Sequence, residues 1–150
     1  MSEEVPIGKS AFVLPPGQAT ALVPGVVSLK VSGDETGSAF EVLELQGSPE
    51  LPGPPPHIHF HREELFYIAQ GSFEFTLGTS TIEADAGSLV FVPRGTRHAF
   101  LVRPDSKGLV FVVPGGLEGF FKELAAGMAE GKSQAEIRQA LEAKYDSHPA

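Results

Sequence analysis

Between Val26 and Val113 the chain never holds one hydrophobic periodicity for long. Runs such as Phe73-Glu74-Phe75-Thr76-Leu77 and Leu89-Val90-Phe91-Val92 stay alternating or apolar for a few residues, and then Gly, Pro or a polar turn cuts them. Side chains two apart share one face of a strand, so these short runs read as strands, and interruptions this frequent leave no room there for a long helix. Seventeen Gly and thirteen Pro supply the breaks. The fold expected is all-β, a barrel with tight turns. Its strands are expected near 26–32, 38–46, 56–60, 64–69, 72–78, 80–84, 89–92, 98–103 and 108–113. The turn Ser32-Gly33-Asp34-Glu35-Thr36-Gly37 should join the first two as a hairpin.

The two ends differ from this middle. Residues 1–30 hold short apolar pieces broken by Pro15-Pro16-Gly17 and Pro24-Gly25, which fits edge strands or an arm, because Pro cannot donate to a ladder. After Gly116 the period changes. Leu117, Phe120, Phe121, Leu124, Ala125 and Met128 form a one-sided helical stripe ending at Gly131. Ser133 and Glu136 then make a capping pattern for a second helix with Ile137, Ala140, Leu141 and Tyr145 on its apolar face. The organisation expected is a barrel over 1–115 and a helical extension over 116–150 packed on its outer wall. The alternative is a lid over the barrel mouth, with Phe120 and Phe121 as its contacts.

The histidines carry the chemistry. His57 and His59, two apart, share a face. Glu64 follows His59 by five residues, an odd step, so it joins that face only if Phe60-His61-Arg62-Glu63 bends or bulges. His98 opens a new strand after the turn Pro93-Arg94-Gly95-Thr96-Arg97. A lone strand histidine is ordinarily a surface or hydrogen-bonded core residue; three imidazoles and a carboxylate at these joint offsets form a donor set for one divalent transition metal ion. His57, His59, Glu64 and His98 are the candidate ligands, and the ion is one of Fe, Mn, Ni, Co, Zn or Cu. With no Cys in the chain, thiolate ligands and disulfides are excluded. Four donors leave two positions open on a six-coordinate ion, whereas a structural site is normally closed.

Alternation also puts Phe66 and Ile68 on the face of Glu64, and Phe100 and Val102 on that of His98, making these four the candidate pocket walls. Phe40, Phe60, Phe66, Phe73, Phe75, Phe91, Phe100 and Phe111 fall in or beside expected strands, so the interior near the ion should be apolar and aromatic. His61, in the bend, is expected behind the ligands or in solvent. His148 is expected in a disordered tail.

The segment Pro54-Pro55-Pro56-His57-Ile58-His59-Phe60-His61-Arg62-Glu63-Glu64, with Gly71 seven residues on, and then Gly87, Pro93, Gly95 and His98, resembles the two motifs of the cupin superfamily. Those motifs are a His-x-His pair, a Glu five on and a Gly seven beyond, then Gly, Pro-x-Gly and a closing His. The resemblance covers roughly residues 40–113, with Leu51 where the family has a leading Gly, Gly53 nearby, and Val102 where an Asn is frequent. Nearly the whole chain is also similar to the quercetin-dioxygenase-like branch of small cupins. The residues behind that likeness run from Asp34-Glu35-Thr36-Gly37 to Phe40, through Pro54 to His59, and from Pro114-Gly115-Gly116 to Leu124. The resemblance implies a double-stranded β-helix or jelly-roll barrel. It also implies a metal-dependent oxygenase of a hydroxylated aromatic or polyketide-like compound, with Glu64 as ligand and catalytic base, and a homodimer in which N-terminal strands extend a neighbour's sheet.

Composition narrows the partners. Eleven Lys and Arg against nineteen Asp and Glu give a net charge of −8, which repels a phosphate backbone or an anionic membrane. The expected partner is a small, apolar aromatic substrate, with no nucleic acid and no membrane. The acidic start Met1-Ser2-Glu3-Glu4 lacks the pattern of a signal peptide, so a cytoplasmic location is expected. Three functions fit the donor set: an oxygenase, a redox-neutral cyclase or isomerase needing only Lewis acidity, and a non-catalytic module that binds a small ligand through the metal.

Overall fold

Eleven strands and two helices make up the computed structural model, which describes residues 10–150. The acidic start and the first part of the N-terminal arm, residues 1–9, lie outside the described residues. In chain order the strands are β1 (Thr20–Val23), β2 (Val27–Val31), β3 (Glu41–Gln46), β4 (His57–Ile58), β5 (Glu63–Gln70), β6 (Ser72–Leu77), β7 (Ser80–Asp85), β8 (Leu89–Val92), β9 (His98–Val102), β10 (Lys107–Val113) and β11 (His148–Pro149). One sheet has the order β1-β2-β3-β10-β5-β8 and the other β11-β4-β9-β6-β7. Every expected strand has a counterpart, and β2 and β3 pair antiparallel as the hairpin expected. The arm contributes β1, which pairs with β2 of its own chain.

Alternation explains which residues fill the space between the sheets. On β5, Glu64, Phe66 and Ile68 are buried while Tyr67 and Ala69 are exposed; on β6, Phe73 and Phe75 are buried. The Phe66 ring sits 5.0 Å from Phe75 and 5.1 Å from Phe100, both edge-on, an arrangement that aromatic quadrupoles favour. Three of the expected inward aromatics face out instead. Phe40, Phe60 and Phe91 are exposed, because Phe40 and Phe60 lie in connections and Phe91 occupies the outward register of the edge strand β8. The turn from β5 to β6 needs glycine at Gly71: φ is 69°, and a Cβ would fall 2.1 Å from Ser106 Oγ, which accepts a hydrogen bond from Ser72 N.

Helices α1 (Glu118–Ala129) and α2 (Gln134–Tyr145) follow the barrel. Gly131, at φ 83°, ends α1 while Lys132 N–H bonds back to Gly127 O. Ser133 Oγ accepts from Glu136 N and caps α2. The stripe of α1 is buried against the barrel, where Phe120, Phe121 and Leu124 line the interior cavity beside strand residues. A helical stripe reports that a face is buried without saying against what.

The helical extension is tied down at its start. Leu117 N–H donates to Glu41 Oε1 at 2.6 Å, Ser32 Oγ donates to Glu118 Oε1 at 2.8 Å, and Arg62 donates to Gly115 O at 3.0 Å. Glu41 is fully buried; burial pushes its pKa up, with the Leu117 N–H working the other way. The C-terminus is no loose tail. His148 belongs to β11, which pairs with β4, and its ring stands between the carboxylates of Glu142 and Asp146 and beside Phe60. Among the described residues, no helix is long and apolar enough to cross a membrane.

Candidate metal centre

The odd step from His59 to Glu64 is resolved by a change of sheet. Strand β4 ends at Ile58, the chain bends at Phe60 and His61, and β5 begins at Glu63 in the opposite sheet. A carboxylate five residues on thus faces the imidazoles from across the barrel, which no in-plane bulge would achieve. His98, the first residue of β9, lies directly across from His57 on β4.

All four side chains are buried, and their ligand atoms lie within 4.8 Å of one another. Each histidine is oriented by a backbone carbonyl: Nδ1 of His57 lies 2.9 Å from Pro55 O, that of His59 2.7 Å from Asp146 O, and that of His98 2.8 Å from Thr96 O. A carbonyl only accepts, so each Nδ1 carries the proton and each Nε2 is left free to ligate. Glu64 Oε1 lies 2.9 Å from His98 Nε2 and 3.2 Å from His59 Nε2. With Glu64 ionised, a hydrogen bond across either gap requires a second proton on the imidazole. A divalent cation among the four donors satisfies them all without it, so the donor set fits a divalent transition ion.

At His57 the electrostatics agree. Burial, reinforced by the neighbouring His98 and His59, holds the pKa of His57 down to about 3, which keeps it a neutral donor. Burial works against charge on His59 too, but Glu64 outweighs it and raises that pKa. Burial likewise opposes ionisation of Glu64, yet its hydrogen bonds with His59 and His98 prevail and hold it below the usual carboxylate range.

Asp146 was invisible to sequence reasoning. It is the C-cap of α2, in the left-handed region that Asp tolerates, with its carbonyl on His59 Nδ1 and its carboxylate accepting from Phe60 N at 3.1 Å and His61 N at 2.8 Å. One residue therefore fixes both a candidate ligand and the bend that separates it from Glu64. The contact spans more than eighty positions, and an Asp after a helix carries no sign of it. His61 itself is exposed.

The cluster opens on a narrow apolar cavity of about 60 Å³. Phe66, Phe100 and Val102 line it, whereas Ile68 is fully buried in the core and does not. Leu117, Leu124 and Arg138 join from the helical extension. Gly53, beside the position where the leading Gly was missing, packs so closely on Phe100 O that a Cβ would come within 1.8 Å.

Residues 48–114 match the Cupin_2 family, the cupin domain. Over 63 residues the chain is 36% identical to the oxidoreductase iacF of Pestalotiopsis fici, covering 41% of this chain and 31% of that one. Over 79 residues it is 38% identical to the "Probable oxidoreductase virH" of Hypocrea virens, covering 49% and 36%. The chain spans about a third of the length of these curated relatives. The structure of the polyketide cyclase RemF from Streptomyces resistomycificus superposes with a TM-score of 0.56 over 70% of this chain and 80% of that one, at 23% identity, a likeness of fold. With the motif residues gathered between two antiparallel sheets and the family match lying over them, residues 48–114 form a cupin domain.

Proposed function

We propose that this cupin is a metal-dependent oxygenase acting on a hydroxylated aromatic or polyketide-like small molecule. One observation carries the reading: three carbonyl-oriented histidines and one carboxylate converge, and His57, His59 and Glu64 among them face an apolar cavity. His57, His59, Glu64 and His98 hold the ion. When bound, a redox-active ion such as Fe or Mn supplies Lewis acidity and electron-transfer capacity to substrate and dioxygen. Phe66, Phe100 and Val102 receive the apolar body of the substrate and keep water from it. Glu64 accepts the proton of the substrate hydroxyl as it loosens from the cluster, the one proton transfer assigned to this chain. The two oxidoreductase relatives support the redox class over the part of their length that matches.

Oxygen uptake by the Fe- or Mn-loaded protein, supplied with a flavonol-like compound in an oxygen electrode, is the expected result. The same compound turning over anaerobically on zinc-loaded protein would replace this reading with cyclisation or isomerisation, which needs no oxidant. Tight binding with no turnover would leave a ligand-binding module. A homodimer belongs to the same proposal and is supported by Tyr67, Leu89 and Phe91, exposed together at the β5–β8 edge. Light scattering at the monomer mass would remove it.

A further inference from the structure

We infer that Arg138 is an anion-binding residue of the cavity, and that the ligand is an apolar acid whose single carboxylate pairs with its guanidinium. The inference rests on reading the cavity as a substrate pocket and adds the ligand's charge and orientation.

Arginine on a surface helix ordinarily reaches water or a carboxylate. Arg103 pairs with Glu74 and Glu83, Arg94 with Glu63, and Arg62 with the carbonyl of Gly115. Arg138 does neither. It is 8% exposed, its Nε is buried with no hydrogen-bond partner, and among the described residues it forms no ion pair. Its guanidinium stands 5.4 Å from the centre of the Phe120 ring, a contact that offsets only part of the lost hydration. Burial lowers its pKa to about 10, so the charge survives at neutral pH.

An unpaired buried charge is costly, and a fold keeps one where something else completes it. Arg138 lines the same cavity as His57, His59 and Glu64, and apart from Gln46 and Ser147 the remaining walls are apolar residues such as Phe66 and Phe100. Among the lining residues it is the one group with a permanent positive charge. A guanidinium fork matches a carboxylate through two parallel hydrogen bonds, and one fork neutralises one charge. A phosphate monoester would bring a second charge for which the walls hold no further donor of this kind. The ligand therefore has an apolar body, a monoanionic group toward α2, and a second oxygen toward the cluster. Because Arg138 sits on α2 and the cluster on the barrel, such a ligand bridges the two.

The test compares 2-naphthoate with 2-naphthamide by calorimetry on zinc-loaded protein. A charge-assisted bidentate pair predicts that the acid binds about 10–100-fold more tightly than the amide. Arg138→Met is expected to erase that preference, keep its zinc, and melt at the same temperature or about 2–4 °C higher, since a buried unpaired charge has been removed. Arg138→Lys, which keeps the charge without the fork, should retain part of the preference and decides the matter if the Met variant fails to fold. An acid preference undiminished in both variants would assign the anion to the metal and overturn the inference. Loss of zinc and a lower melting temperature in both would make Arg138 structural and overturn it as well. If neither compound binds zinc-loaded wild type, the pocket reading itself fails, an outcome distinct from equal binding of the two, which removes only Arg138's role.

Discussion

A His98→Ala variant keeps the barrel and loses its metal. His98 is the most buried of the four donors, it pairs across β4 and β9 with His57, and its Nε2 lies 2.9 Å from Glu64. Removing it opens the cluster at the point where the two sheets meet. Four-ligand zinc sites are worth about 10–16 kcal/mol, so one ligand accounts for about 3 kcal/mol, or roughly a 10²-fold loss of affinity. Competition with a chromophoric chelator measures it, with circular dichroism to confirm that the strands remain. Asp146→Ala gives a graded companion. The carbonyl on His59 survives that change, but the hydrogen bonds to the Phe60 and His61 amides do not, so the loss should be about 10-fold, at the low end for residues that orient ligands. Unchanged metal content in His98→Ala would refute the assignment of the cluster.

Chelation should lower the melting temperature by about 8–16 °C. An ion that binds only the folded chain stabilises it by RT ln(1 + [L]/Kd), about 4 kcal/mol at a thousandfold excess over Kd, and each kcal/mol shifts the midpoint by about 2–4 °C for a domain of this size. The donors come from β4, β5, β9 and the turn after β4, so the ion ties the two sheets together. Differential scanning fluorimetry with chelator, then with zinc restored, follows the loss and its recovery. A midpoint indifferent to both treatments would mean that the cluster holds no ion in solution.

What the sequence revealed was set by the range of each interaction. Strand alternation and the Gly and Pro turns are local, so the run from Val27 to Val113 was legible almost strand by strand. The offsets of His57, His59, Glu64 and His98 were legible too, although the reason for the odd step was not, because a change of sheet looks in sequence like any bend. The side of the barrel on which Phe120 packs depends on the barrel being there first. Asp146 and His148 act across the whole chain, and nothing around them announces it. Arg138 left a faint trace: it stands three and seven residues before Leu141 and Tyr145, on the apolar stripe rather than the solvated face.

The carbonyl that orients His59 and the strand that flanks His57 both come from beyond residue 145. A ribosome has already released the His-x-His pair, Glu64 and His98 when it reaches them, so the nascent barrel emerges with its donors gathered but His59 unsteadied. The full set of contacts that steadies the donors therefore forms only once Asp146 and β11 are in place, so the cluster is made late although its donors are made early.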